Sequence, residues 1–233
     1  MVDFYTSFLI VVLFLFFFSI LSYKKKLLDA EGILTANAIG LAAITYGPNP
    51  WLCFIIVVVF FVIGEVASNY PKKKHGQRNI WNVVGNSLPA LIILSMVFVY
   101  PEYSLAFQIG FFGAISAALA DTLSSEVGYY SKSKPRMITT LKQVVRGTDG
   151  GVTLLGELAA LFGGLVVAII YFSAYPNLIA FFAILLAALV GTNFDSLFGA
   201  VFETKKVLNN THVNLIGSSC GAIFALAIAL ILL

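Results

Sequence analysis

Carboxylates occur inside strongly apolar stretches of this sequence, where an ionised side chain is costly. Asp121 and Glu126 lie in ALADTLSSEVG, and Asp195 lies in GTNFDSLFGA. The next lysine follows Asp121 by 11 residues and Asp195 by 10, so both carboxylates lie about 15 Å from the basic end of their segments if these are helical. Few cations share that depth. A divalent ion or a bound proton would offset this excess of negative charge.

The spacing of these carboxylates limits how they can act together. Asp121 and Glu126 are five residues apart, which is about 140° around an ideal helix. Both can face one ion only if the helix is irregular there or the cleft is wide. Ser125 follows Asp121 and Gly199 follows Asp195 at helical spacing, and such small residues would admit a neighbouring helix or a ligand. The alternative is that these polar groups only hydrogen-bond one helix to another.

The loop KSKPRMITTLKQVVRGTDGG, from Lys132 to Gly151, contains the densest group of polar residues. Cations, hydroxyls and glycines that precede a helix N-terminus are typical of phosphate binding. The loop matches neither the Walker A nor the G-x-G-x-x-G pattern, and an ordinary basic cytoplasmic loop is the alternative. The candidate phosphate-binding residues are Arg136, Thr139, Thr140, Lys142, Arg146, Gly147, Thr148, Gly150 and Gly151.

Composition identifies the elements that must position these residues. The 233-residue chain is 60% hydrophobic and 11% charged, with a mean hydropathy of +0.96, so it is an integral membrane protein. The sequence predicts an all-α, polytopic bundle of about eight spans that forms a single membrane domain, 1–233. The first span lacks a basic n-region and is expected to be retained. The predicted spans are 3–23, 30–47, 50–70, 79–100, 104–130, 151–174, 177–203 and 211–233.

The basic residues predict the topology. All 14 fall in four clusters, Lys24–Lys26, Lys72–Arg78, Lys132–Arg146 and Lys205–Lys206, and each cluster follows an odd-numbered span. The positive-inside rule makes these loops cytoplasmic and places both termini outside. The intramembrane polar groups lie mostly in the cytosolic half, which indicates a cavity open to the cytoplasm. We therefore expect a multi-pass protein of the cell membrane whose active site faces the cytoplasm.

Other residues carry weaker signals. Cys53 and Cys220 lie in apolar runs and are expected to be buried thiols. His75 and His212 have no ligand spacing around them, so a metal role is not expected for either. Nothing in the sequence indicates a nucleic-acid partner, and the oligomeric state stays open.

Four blocks of this chain resemble one membrane-protein family. They are ADTLSSEVG (120–128), PRMITTLKQVVRGTDGGVTLLG (135–156), GTNFDSLFGA (191–200) and NNTHVNLIGSS (209–219). The family includes the plant phytyl-phosphate kinase and is more distantly similar to the CTP-dependent dolichol and phytol kinases. Asp149 departs from the family pattern. The block before the fourth span is also less arginine-rich than the family leads us to expect.

The resemblance implies Mg²⁺-dependent transfer of a phosphoryl group from a nucleoside triphosphate, with CTP as the candidate, to an isoprenoid monophosphate. On this hypothesis Asp121, Glu126 and Asp195 bind Mg²⁺, and Lys142 acts with them in catalysis. The loop residues given above bind the nucleotide phosphates. The acceptor phosphate is contacted by Arg78, Asn82, Asn86 and Asn214.

Three other functions are alternatives for these residues. A cytidylyltransferase that forms a CDP-lipid would use the same metal and nucleotide groups but release pyrophosphate. An ion-coupled secondary transporter would also use intramembrane carboxylates, but it should place polar groups on both sides of the midplane. The outer half of this chain has almost none, which favours an enzyme. A structural scaffold is a third alternative, disfavoured by the excess of carboxylates.

Overall fold

The computed structural model describes residues 4–69 and 79–233, and this part of the chain folds as a bundle of eight α-helices. The helices are α1 Phe4–Lys25, α2 Ala30–Tyr46, α3 Pro50–Asn69, α4 Ile80–Ser95, α5 Ser104–Gly128, α6 Leu154–Ala174, α7 Leu178–Phe198 and α8 Asn210–Leu232. Short 3₁₀ turns, Met96–Phe98 and Pro101–Tyr103, join α4 to α5, and a π-helical turn, Gly199–Glu203, extends α7. Two short strands, β1 Arg136–Met137 and β2 Gly151–Val152, lie between α5 and α6.

The expected all-α polytopic membrane bundle is confirmed. Seven of the helices in the described residues, together with the short turns that extend them, are long and apolar enough to cross a membrane. The helix α2 has 17 residues, about 26 Å at 1.5 Å per residue, and is the one α-helix of the described residues that is not among these seven. Which side each terminus occupies stays a prediction.

Polar caps explain where many of these helices begin. Asp29, Asn79, Thr153, Asn177 and Asn209 each precede a helix and accept a hydrogen bond from a backbone N–H of its first turn. These N–H groups have no partner within the helix itself, so the side-chain oxygen satisfies them. The helix starts therefore fall within one or two residues of those predicted for the second, fourth, seventh and eighth spans.

The helix α5 lies at the centre of the bundle. It packs against α8, α6, α7, α4 and α3, and most of its residues are buried. Small residues allow this close packing. A Cβ placed on Gly113 would lie 2.8 Å from the carbonyl oxygen of Gly221 in α8, which is too close for any larger residue. The polar residues in the middle of α5, Gln108 and Ser116, are therefore buried in the interior of the protein.

The carboxyl ends of α5 and α7 meet the amino ends of α6 and α8 at one end of the bundle. Gly128 at the end of α5 packs against Thr153 and Gly156 at the start of α6. Thr153 joins the two helices, since its Oγ1 donates to the carbonyl oxygen of Gly128 at 3.4 Å and accepts from the N–H of Gly156 at 3.0 Å. The four helices therefore enclose a common space at this end.

Candidate functional site

Two aspartates from different helices face each other at this end of the bundle. The carboxyl groups of Asp121 on α5 and Asp195 on α7 lie within hydrogen-bonding range of one another. The backbone of α8 packs directly behind them, because a Cβ on Gly217 would lie 2.9 Å from the Cβ of Asp195 and 3.3 Å from its Oδ2. No lysine or arginine of the described residues pairs with either aspartate. Two ionised carboxylates at this distance repel each other, so the pair requires a shared proton or a bound metal ion.

These aspartates line a cavity of about 250 Å³ that contains two further carboxylates. Glu203 lies at the end of the π-helical turn that extends α7, and Asp149 lies in the loop before β2. Both add to the negative potential at Asp195. The only Lys or Arg of the described residues that lines this cavity is Arg146. With four carboxylates and one cation, the cavity favours cations over free anions.

The structure does not bring Glu126 into this cavity. The helix α5 continues without a break to Gly128, so the offset of about 140° between Asp121 and Glu126 is preserved. Among the residues described, no three His, Cys, Asp or Glu side chains are arranged to enclose a metal ion. The assignment of Glu126 to a metal therefore stays a prediction without geometric support.

The donors that are present nevertheless fit a magnesium ion that arrives with a polyphosphate. Mg²⁺ is commonly held by one or two carboxylates plus substrate phosphate oxygens, rather than by a cage of protein ligands. Asp121 and Asp195 supply such a pair, and the remaining ligands would come from the substrate and from water. This geometry does not suit a metal bound by protein side chains alone.

The loop between α5 and α6 folds into a compact hairpin. The strand β1 pairs antiparallel with β2, with Arg136 opposite Val152, and the N–H of Met137 donates to the carbonyl oxygen of Lys142 at 2.9 Å. Arg136 Nη1 donates to the carbonyl oxygen of Leu141 at 2.9 Å. Four predicted phosphate-binding residues belong to the exposed part of this hairpin and do not line the cavity: Arg136, Thr139, Thr140 and Lys142.

The glycine-rich end of the loop does line the cavity, from Gly147 through Gly151. Gly147 and Gly150 have positive φ angles of 82° and 75°. The N–H groups of Gly147, Asp149 and Gly150 donate to no other atom of the described chain. Successive backbone N–H groups without an internal partner, in a loop that turns through positive φ angles, can form a concave anion site. This segment is the part of the predicted phosphate loop that the structure places beside the carboxylates.

Gly150 holds this loop against α7. A Cβ at this position would collide with the Cβ of Ala200 and would lie 2.7 Å from the carbonyl oxygen of Ser196. The other side of the loop is tied to the end of α5, because Arg146 Nη2 donates to the carbonyl oxygen of Ser131. The loop is therefore fixed at both edges of the cavity.

A row of asparagines extends from the carboxylates toward α4. One end of the Asn214 amide lies 3.4 Å from Asn86 Oδ1, and the opposite end lies 3.1 Å from both Asp195 Oδ2 and the carbonyl oxygen of Asn210. The orientation with nitrogen toward Asp195 satisfies two acceptors instead of one. Asn86 Nδ2 donates to the carbonyl oxygen of Asn82 at 2.9 Å. Arg78, the fourth member of the predicted acceptor group, lies outside the described residues.

Several other polar residues have structural positions away from the cavity. Glu157 accepts a hydrogen bond from Asn193 Nδ2 at 3.2 Å. His212 belongs to the capping box at the start of α8. Cys53 is buried and Cys220 is partly buried, and both are free thiols. His75 lies outside the described residues.

Comparison with known proteins places the chain in a family. A family model described as "Integral membrane protein DUF92" matches residues 13–222. The chain belongs to the DUF92 integral membrane family. The family expected from the four sequence blocks is thereby confirmed. All residues that line the cavity fall within the matched region.

Relatives of this chain occur in Methanocaldococcus jannaschii, Synechocystis and Arabidopsis thaliana. An uncharacterised membrane protein of Methanocaldococcus jannaschii is 34% identical over 88% of this chain and 87% of its own length, and one of Synechocystis is 33% identical over 88% and 83%. The chloroplast protein VTE6 of Arabidopsis thaliana is 30% identical over 85% of this chain and 64% of its own length. No solved structure matches the chain.

Sequence reasoning missed some of the residues that line the DUF92 cavity. Glu203 was not singled out, because a carboxylate just before Lys205 reads as an ordinary charge at the membrane surface. Its position depends on the π-helical turn, whose i→i+5 bond from Thr204 N–H to Gly199 O is 3.2 Å long, and apolar periodicity does not reveal such turns. Ser124, Thr153 and Asn210 were also missed.

Proposed function

We propose that this protein is a membrane kinase that transfers a phosphoryl group from a nucleoside triphosphate, with CTP as the candidate, to an isoprenoid monophosphate. The observation that carries the proposal is a single cavity lined both by Asp121 and Asp195 and by Gly147 and Gly150, whose N–H groups have no partner in the described chain. Phosphoryl transfer requires acidic ligands and anion-binding amides in one site, since it depends on positioning and charge neutralisation more than on covalent catalysis.

The charge of the cavity supports a metal-bound nucleotide as the donor. Four carboxylates would repel a free triphosphate, which carries several negative charges itself. Asp121 and Asp195 would hold the Mg²⁺ that accompanies the nucleotide. Bound Mg²⁺ would supply charge neutralisation for the polyphosphate and its leaving group. Arg146 and the amides of Gly147–Gly150 would then bind the phosphate oxygens.

An isoprenoid monophosphate needs no strong general base in this site. The second pKa of a phosphomonoester is about 6, so at neutral pH its oxygen is already largely deprotonated. That oxygen attacks the γ-phosphorus, the bond to the β–γ bridging oxygen breaks, and the nucleoside diphosphate leaves. Asn214 contacts Asn86 on one side and Asp195 on the other, and these two amides would orient the acceptor phosphate beside Asp195. The four blocks that resemble the phytyl-phosphate kinase family support this acceptor class.

Basic residues outside the cavity would contact the rest of the nucleotide and set the orientation in the membrane. Lys142 and Arg136 on the exposed hairpin lie beyond the cavity, where they would contact the outer part of the nucleotide. The basic clusters after α1, α5 and α7 favour a cytoplasmic position for this end of the bundle. We therefore propose a cell-membrane enzyme whose site opens to the cytoplasm.

The fate of the phosphorus atoms tests this proposal. Purified protein in nanodiscs is incubated with Mg²⁺, geranylgeranyl phosphate and CTP labelled at either the α or the γ phosphorus, and ATP, GTP and UTP are compared. A kinase places the γ label in geranylgeranyl diphosphate and releases CDP. Transfer of the α label to a CDP-lipid with release of pyrophosphate would identify a cytidylyltransferase instead. If none of the nucleotides yields a labelled lipid, both the kinase and the cytidylyltransferase assignments are refuted.

A further inference from the structure

A second cavity lies among the first four helices, on the other side of α4 from the carboxylates. It has a volume of about 520 Å³ and is lined almost entirely by aliphatic and aromatic side chains. Two edge-to-face aromatic pairs stiffen its walls: Phe14 with Phe54 at 5.5 Å between ring centroids, and Phe18 with Phe61 at 4.9 Å. We call it the α1–α4 groove. Its volume falls in the range of sites that enclose a small ligand.

Only one end of the α1–α4 groove is polar. The polar side chains that line the groove are Glu65 of α3 and Asn82, Asn86 and Ser87 of α4. Glu65 Oε1 accepts a hydrogen bond from Asn69 Nδ2 at 2.6 Å, so this carboxylate is already engaged. Asn82 accepts from the N–H of Asn79 through its Oδ1 at 3.1 Å, and Asn86 Nδ2 uses one of its two N–H groups toward the carbonyl oxygen of Asn82 at 2.9 Å. The remaining N–H groups of these two amides are the donors at this end that could meet an anionic ligand.

The polar end of the groove is connected to the carboxylate cavity by hydrogen-bonding groups. Asn86 lines the groove, and its Oδ1 lies 3.4 Å from the amide of Asn214. The other end of that amide lies 3.1 Å from Asp195 Oδ2. A single asparagine thus separates a long apolar groove from the proposed transfer centre.

We propose that the α1–α4 groove binds the hydrocarbon chain of the acceptor lipid, whose phosphate leaves the groove at Asn86 and reaches Asp195 across Asn214. This inference rests on the proposed function. A ligand with one long apolar chain and one anionic end matches a groove that is apolar along its length and polar at the end nearest the carboxylates. A two-chain phospholipid fits a groove of about 520 Å³ less well.

The groove would act on reactivity more than on affinity. A chain that leaves bilayer lipid for an apolar groove gains little hydrophobic free energy, because both surroundings are apolar. What the groove adds is position: it fixes the direction from which the phosphate approaches the carboxylates. Narrowing the groove should therefore change the selectivity of the enzyme for the chain length of the acceptor lipid. It should leave the partitioning of that lipid into the membrane unchanged.

A matched pair of variants on α2 tests this prediction. Ala36 lines the groove, whereas Ala38 on the same helix is exposed and does not line it. We expect Ala36→Phe to lower kcat/KM for geranylgeranyl phosphate about tenfold relative to geranyl phosphate, a typical effect of changing the fit of an apolar pocket. Ala38→Phe should leave this ratio as in the wild type. Equal ratios in the two variants would overturn the groove assignment while leaving the kinase proposal intact.

Photolabelling gives a readout that does not depend on turnover. Geranylgeranyl phosphate with a diazirine at the end of its chain is irradiated with the wild-type protein, and the labelled peptides are identified. Labelling of the groove segments of α1 and α3, displaced by excess geranylgeranyl phosphate but not by phosphatidylcholine and reduced in Ala36→Phe, would support the site even if the enzyme assay fails. Labelling confined to other helices, or displaced equally by phosphatidylcholine, would refute it.

Discussion

At the scale of single residues, the central feature is two aspartates held together without a cation. Like charges at hydrogen-bonding distance destabilise a fold unless a proton or a metal ion is shared between them. Asp121 and Asp195 are held in this arrangement by the close approach of α8 at Gly217. Such a cost in stability is typical of a functional site.

Replacing one member of the pair should therefore stabilise the protein while removing its function. In Asp195→Asn the repulsion is relieved and the amide can donate to Asp121. We expect its unfolding temperature in Mg²⁺-free buffer to rise by about 2–4 °C, the shift for about 1 kcal/mol in a chain of this size. Differential scanning fluorimetry in detergent measures this. Added Mg²⁺ and nucleotide should stabilise the wild type more than the variant; a lower unfolding temperature for the variant would contradict the account.

The sequence could predict part of this site because it gives the depth of each aspartate within its membrane span. Asp121 and Asp195 are nearly equidistant from the basic ends of two segments that run in the same direction, so proximity was a natural expectation. The five-residue spacing also indicated that Glu126 lies about 140° away from Asp121 around the helix. Glu203 could not be predicted, because a π-helical turn changes the phase of the last turn of α7. The position of Asp149 depends on a loop without periodicity.

At the scale of elements, the site depends on how the glycine-rich loop docks onto α7. Helix boundaries follow from apolar runs and polar caps, so the predicted spans agree closely with the helices of the structure. The β1–β2 hairpin was not predicted, because two-residue strands have too short a pattern to recognise. That hairpin separates the residues of the loop into an exposed group and a group inside the cavity.

Two glycine variants isolate the docking of this loop. Gly147 and Gly150 both have positive φ angles, so alanine at either position costs about 1–2 kcal/mol in backbone strain. A Cβ on Gly147 would meet nothing within 4 Å, whereas one on Gly150 would collide with α7. We expect Gly150→Ala to lower turnover at least about tenfold more than Gly147→Ala. Steady-state kinetics and limited proteolysis of the loop measure this; equal losses would show that contact with α7 does not matter.

At the scale of the whole molecule, the helices form two neighbouring compartments. One is the acidic cavity lined by the end of α5, the glycine-rich loop, the end of α7 and the start of α8, and the other is the apolar α1–α4 groove. Asn86 on α4 and Asn214 on α8 lie between them. A water-soluble nucleotide and a membrane lipid could each occupy the compartment that suits its chemistry and meet at Asp195.

The central claim is that the Asp121–Asp195 pair is the site of phosphoryl transfer. Single-turnover transfer from γ-labelled CTP to geranylgeranyl phosphate should be compared for the wild type, Asp121→Asn and a matched control, Glu157→Gln, whose carboxylate contacts Asn193 outside the cavity. The account predicts that Asp121→Asn slows transfer about a hundredfold or more, whereas Glu157→Gln retains the wild-type rate. Wild-type transfer by Asp121→Asn, with an intact fold, would contradict it.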